Sequence, residues 1–353
     1  MSVIRENREP APAESAPRTR RRVSDAVLQW VTGEVASRSS GRVVRISDPR
    51  HREAVVALLG PADTLLLPAE ASLPADAPGS IDAGPRTIGY SGALDQPGDV
   101  AWFGDLRIQV EDYASIPFLP VSGATIARIR DAAGWRAYLE DADGARRGGY
   151  LVPQLLGSAV AIGGLTSRPA PDDTVASVDI DSDGVARLGP DGLILGRIDD
   201  PTALAAALTH RYPPLAGLGR IDAEVVEDVA RRPWLDLYRS ALAFAAPDDT
   251  GRAWAVSGLG SALHPDGDTE RITRADLLLL HRDDERVLVE TTTLRRFALS
   301  PETALAVECV LSTETDEAAC GRLATAGIAT EAGFAARLIE RFAHDGVRLR
   351  MPA

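Results

Sequence analysis

The stretch that decides the reading runs from Asp276 to Pro301. It opens with Asp276-Leu277-Leu278-Leu279-Leu280-His281, turns through Arg282-Asp283-Asp284-Glu285, and returns as Arg286-Val287-Leu288-Val289-Glu290. Thr291-Thr292-Thr293 then leads to Leu294-Arg295-Arg296-Phe297-Ala298-Leu299, closed by Ser300-Pro301. Two apolar, β-prone runs around a short polar turn predict a hairpin, and residues 294–299 predict a third strand. Ser300 is a good N-cap and Pro301 suits the first helical position, so a helix opens there and runs through Ser312. Thr315 predicts the cap of a second helix, Asp316 to Ala324, whose first-turn acids suit the macrodipole. Gly327 ends that unit, Thr330 caps a third helix through His344, and Gly346 stops it. Within the third helix Phe334, Leu338 and Phe342 recur every four residues beside Ile339, so one stripe faces a core.

Three short strands followed by three helices predict a winged-helix-like domain over residues 271–353. Working outward, residues 1–22 mix Pro, Glu, Ala and Arg with almost no apolar content and read as a disordered tail. Residues 23–170 read as an α+β domain. It has an amphipathic helix after Ser24 (Val27, Leu28, Trp30, Val31, Val35), a strand Val43 to Ile46, and a helix Arg52 to Leu59. Strands Val100 to Phe103, Leu106 to Val110 and Thr125 to Ile129 follow. A helix over Trp135 to Leu139 then runs into a polar, Gly-containing stop at residues 141–149. Pro169 to Asp173 reads as a linker. In residues 171–270, turn chemistry at residues 181–184 and 189–192 predicts a β-meander. Helices Pro201 to His210 and Ala223 to Phe244, the second broken at Pro233, complete a region that reads either as a unit of its own or as continuous with the preceding domain. The fold class is α+β, a mixed α/β N-terminal region joined to a C-terminal three-stranded antiparallel sheet with three helices.

Composition narrows the function. Of 353 residues, 51 are Asp or Glu and 38 are basic, and every basic residue is Arg. Without a lysine amine, Schiff-base catalysis, pyridoxal phosphate attachment, the P-loop lysine and the kinase lysine are all excluded. A net charge of −13 argues against a duplex nucleic-acid binder, whose affinity comes from clustered positive charge. Two cysteines, Cys309 and Cys320, are too few for a disulfide framework and suit a reducing, cytoplasmic setting. No window is long and apolar enough for a membrane span. Arg18, Arg20, Arg21 and Arg22 are followed by Asp25 and Glu34, where an export signal needs an unbroken apolar run.

The chemical motifs fail one by one. Asp179, Asp181, Asp183 and Gly184 open like a calcium loop, but Pro190 stands where the closing carboxylate belongs, so a hairpin turn is the better reading. Gly258-Leu259-Gly260 lacks the third glycine of a dinucleotide fingerprint, and Pro265 spoils the helix that should follow. Gly217 and Gly219 have no strand-turn-helix setting. The five histidines show no metal-ligand spacing, and no serine sits in a Gly-x-Ser-x-Gly elbow. Asp141, Asp143, Arg146 and Arg147 read as a solvated helix end. The expectation is a protein with no cofactor, no metal and no catalytic residue.

One resemblance stands out. Residues 296–307 (Arg296-Phe297-Ala298-Leu299-Ser300-Pro301-Glu302-Thr303-Ala304-Leu305-Ala306-Val307), then Asp316-Glu317-Ala318-Ala319, then Phe334 to Gly346, resemble the PqqD-like RiPP recognition element. Here Ser300-Pro301 stands where that family has Asn. As a whole the chain looks like the stand-alone recognition proteins of daptide biosynthesis, with Gly123-Ala124-Thr125, Arg128 and residues 141–146 fitting that family.

The resemblance implies a non-catalytic protein that binds the leader of a ribosomally made precursor peptide as an added strand. It would then deliver that peptide to separate RiPP-modifying enzymes. Carried over by position, the strand is Arg295, Arg296, Phe297 and Leu299, and the helix candidates are Arg337, Leu338, Arg341 and Phe342, whose arginines suit an acidic leader. Two alternatives stay open: a winged-helix transcriptional regulator that binds DNA, and an enzyme with an unrecognised site in residues 25–270. The first has against it that residues 271–353 hold 11 Arg and 13 acids, net −2.

Overall fold

A computed structural model describes residues 5–6, 18–33, 41–69, 84–121, 123–156, 159–164, 175–210, 212, 216–219, 223–247, 251–328, 331 and 333–350. In chain order the elements begin with β1 (Arg5–Glu6), α1 (Arg18–Thr32), β2 (Val43–Ile46), α2 (Arg52–Val56), β3 (Thr64–Pro68), β4 (Arg86–Gly92) and β5 (Val100–Phe103). Next come β6 (Leu106–Asp112), β7 (Ala124–Arg128), α3 (Ala132–Gly148), β8 (Val160–Ile162), β9 (Ser177–Ile180), β10 (Val185–Leu188) and β11 (Ile194–Arg197). Then follow α4 (Pro201–Ala207), α5 (Ala223–Ala230), α6 (Leu235–Phe244), β12 (Ala255–Ser257) and β13 (Gly260–Ser261). The chain closes with β14 (Leu277–Arg282), β15 (Glu285–Glu290), β16 (Arg295–Ala298), α7 (Pro301–Leu311), α8 (Asp316–Thr325) and α9 (Phe334–His344). The class is α+β, as expected.

The chain divides into two compact units, and the division runs elsewhere than the sequence suggests. One unit takes residues 14–138 and 158–228; the other takes 1–13, 139–157 and 229–353. Neither 170 nor 270 is a boundary, for a pairing reason in each case. β9 lies parallel to β2, so the meander extends the first sheet, and β12 pairs with β14, so residues ahead of 271 belong with the C-terminal strands. The expected tail is also shorter, because α1 begins at Arg18, six residues before the expected cap Ser24. Arginine is a good helix former, which carries the helix back beyond the buried Val23. Val35, the linker at 169–173 and the cap at Thr330 lie outside the described residues. α9 itself opens after Gly333, in a left-handed conformation at φ 75°.

In the first unit ten strands form one mixed sheet, ordered β11-β10-β9-β2-β3-β4-β5-β6-β7-β8. All four residues of β2 are buried, as expected of a parallel strand covered on both faces. Val43 packs with Leu66, Ile88 and Trp30 of α1, while Val44 and Ile46 pack on the opposite face with Leu65, Val178 and Ile180. Arg45 shares the face of Val43 and is 2% exposed. Its guanidinium reaches Asp179 at 3.0 Å, Asp95 at 2.9 Å and the Tyr90 hydroxyl at 3.1 Å, with the Trp30 ring centroid 5.3 Å away. Burial is the largest single influence and lowers the Arg45 pKa, but Asp179, Tyr90 and Asp95 together outweigh it and the net direction is up. Arg128 forks onto Asp191 and donates to the carbonyls of Leu94 and Asp95. Asp95 thus joins two buried guanidiniums into one network.

In the second unit six strands run in the order β1-β16-β15-β14-β12-β13. β14 and β15 pair residue for residue from Leu277↔Glu290 to Arg282↔Glu285, with Asp283 at φ 43° in the turn. Leu277, Leu279, Leu288, Phe297 and Leu299 line the face that packs against α7, α8 and α9. α3 runs through the expected stop at 141–148 because Ala142 and Ala145 are fully buried, Asp143 pairs with Arg232, and Arg146 donates to the Gly258, Glu270 and Ile272 carbonyls. Those arginine bonds replace the solvated helix end that the polar sequence implied.

Candidate functional site

β16 has two edges. Its inner edge pairs with β15 over four residues, Val287↔Ala298 through Glu290↔Arg295. Among the described residues its outer edge carries the two-residue β1, with Arg5 opposite Ala298 and Glu6 opposite Phe297. Alternation along the strand sends Phe297 inward, while Arg296 and Ala298 take the other face. Leu294, just before the strand, is 63% exposed and sits at φ 61°, a conformation that costs an L-residue about 1–2 kcal/mol.

The residues carried over by resemblance fall into two groups. Phe297, Leu299, Leu338 and Phe342 belong to the hydrophobic core, with Phe342 wholly buried and its ring meeting Phe297 edge-on at 6.3 Å. They form the floor beneath the edge, and an Asp at any of them would bury an unpaired charge. Phe297→Asp or Leu338→Asp would therefore disturb the fold together with any binding at this edge. The arginines lie nearer the surface. Arg295 is committed to the fold: it bonds Glu290 at 2.9 Å and the Asp345 carbonyl at 2.7 Å, and lies over the Phe297 ring at 5.3 Å. This clamps β16 to the end of α9. Arg337 and Arg341, one helical turn apart, are more than half exposed; Arg337 pairs with Glu331 at 3.2 Å and Arg341 lies 3.9 Å from Asp345. Arg296, half-buried on the strand, makes no ion pair among the described residues. The arrangement therefore offers main-chain donors and acceptors along one strand, an apolar core behind it, and exposed guanidiniums on α9.

The chain matches no protein-family model, no curated protein and no solved structure.

Other constellations offer less chemistry. Ser261 Oγ lies 3.1 Å from His281 Nε2, and burial lowers the His281 pKa, yet no carboxylate bonds the other ring nitrogen among the described residues. A triad needs that orienting group. A cleft of about 230 Å3 in the first unit, walled by Ile129, Trp135, Leu218 and Val225, carries Asp131 and Glu224 on its lining. Asp131 is engaged in capping Gly134. The Asp181 carboxylate accepts from the Asp183 and Val185 amides, so it closes the β9–β10 turn. No group of His, Cys, Asp or Glu among the described residues is placed to hold a metal ion. No helix among them is long and apolar enough to cross a membrane.

Sequence reasoning missed Glu308, which is completely buried on α7. Its carboxylate accepts from Ser257 Oγ at 2.6 Å and from the main-chain amides of Leu263 (2.8 Å) and His264 (2.7 Å). The available signal was an acid in the apolar run Leu305 to Leu311. Cys309 beside it behaves as a core residue, its thiol pushed up to about 11 by burial.

Proposed function

We propose that the strands β14–β16 and helices α7–α9 make a winged-helix-like recognition module that binds an extended peptide by adding it as a strand to the outer edge of β16. The peptide is the leader of a ribosomally made precursor, which the chain presents to separate modifying enzymes in daptide-type biosynthesis. The observation that carries this reading is the pairing of β1 with β16: that edge accepts an antiparallel strand from outside the module. Strand addition draws affinity from main-chain bonds and choice from side-chain pockets. Arg296, Arg337 and Arg341 supply charge that favours an acidic segment.

Fluorescence polarisation tests it, using the full chain and a labelled leader peptide from a precursor gene neighbouring this one. Saturable binding that an unlabelled leader competes away supports the reading. Absence of saturable binding sinks it.

A further inference from the structure

The outer edge of β16 is partly occupied by the chain itself. β1 covers Phe297 and Ala298, while Arg295 and Arg296 have no strand partner on that side among the described residues. We propose that β1 is a built-in competitor: Arg5–Glu6 fill in cis the edge that a ligand peptide takes, and a ligand adds its strand only by displacing them. The inference rests on the reading of β16 as the peptide-binding edge.

Three points carry it. Outward-facing main-chain groups of one strand serve one neighbouring strand at a time, so β1 and an added peptide exclude each other at Phe297 and Ala298. Among the described residues the cis strand is two residues long, whereas β16 offers four, so a peptide that pairs along all four makes main-chain bonds beyond the two positions where β1 is described. Because β1 is part of the same chain, its occupancy does not depend on protein concentration, and it lowers apparent ligand affinity by the fraction of molecules whose edge is open. A peptide that pairs along the whole strand overcomes that penalty, and a short or mismatched one does not. Between ligands, β1 also shields an edge that would otherwise invite pairing with another chain.

The test compares the full chain with a full-length Arg5→Pro, Glu6→Pro variant, whose prolines remove the strand's N–H donors. Hydrogen exchange at the Ala298 amide, which faces the outer edge where the Leu299 amide faces β15, reads occupancy without any ligand. The variant should exchange faster there by about tenfold, the factor equivalent to ~1.4 kcal/mol. A synthetic peptide of residues 1–13 added to the variant should restore protection. Unchanged exchange overturns the proposal. Binding of the labelled leader should tighten by a similar factor in the variant, and equal affinity for both proteins overturns the competition. If the leader binds neither protein while exchange rises and the 1–13 peptide restores protection, occupancy of the edge stands and the leader reading falls.

Discussion

Glu308 shows how one buried charge organises its surroundings. A carboxylate removed from water is tolerated only when its acceptor capacity is filled. Here the Ser257 hydroxyl and the amides of Leu263 and His264 fill it. Glu308→Ala leaves those donors buried without a partner, each costing about 1–3 kcal/mol, so stability should fall by about 3 kcal/mol or more. Urea denaturation reads this as a drop in midpoint with little change in slope, and a loss under about 1 kcal/mol would mean water replaces the carboxylate. His281, on β14, makes a pH prediction. Burial lowers its pKa from 6.5, with Glu308 opposing and Arg286 assisting. Just below pH 6.5 the unfolded chain therefore binds more protons at this site than the folded chain, so its contribution to stability declines as pH falls through that window. In the His281→Gln variant, denaturation midpoints between pH 7 and pH 5 should decline less steeply than in the parent. Parallel slopes would place the titration elsewhere.

At the scale of elements, β16 and α9 separate folding from recognition. Phe297 and Leu338 hold the sheet to the helices, so Phe297→Asp and Leu338→Asp should abolish cooperative unfolding as followed by near-ultraviolet circular dichroism. Arg296→Glu and Arg341→Glu change residues outside the core. Their stability should stay within about 0.5 kcal/mol of the parent, while affinity for an acidic leader falls by about three- to tenfold. Equal affinity would remove these arginines from the interface. The same elements explain what the sequence disclosed. The β14–β15 hairpin, β16 and α7 follow from local patterning: an apolar run, a polar turn, a Ser-Pro helix start. β1 was illegible because Arg5 and Glu6 carry no periodicity and their partner lies at the far end of the chain. The continuation of α3 was hidden by its polar run 140–147, since the feature that keeps it helical is the burial of Ala142 and Ala145 among residues distant in sequence. Arg45 and Asp179 occupy strand positions that composition marks as surface, and they go inward only as a pair.

For the molecule as a whole, the discontinuous division decides which pieces of chain fold alone. The sequence invites cutting before residue 271 and testing residues 271–353 by themselves. The unit that contains them also uses residues 139–157 and 229–270. Removing those residues strips β12 from β14 and bares an edge with Leu278 and Leu280 nearly inaccessible in the intact unit. It also takes away Ser257, Leu263 and His264, leaving the Glu308 carboxylate buried with none of its donors. Arg146 would no longer hold the carbonyls of Glu270 and Ile272. A domain of this size has a stability of about 5–15 kcal/mol, and the lost contacts amount to much of that range. Residues 271–353 expressed alone should therefore lack a cooperative urea transition and fail to bind the leader, while the full chain does both. Restoring folding should require residues 139–157 as well as 229–270, since the helix that contributes Arg146 lies in the earlier segment. A sharp unfolding transition in the isolated 271–353 fragment would show that the C-terminal strands and helices complete their core without the rest, and Glu308 would then have to find its donors within the fragment or in water.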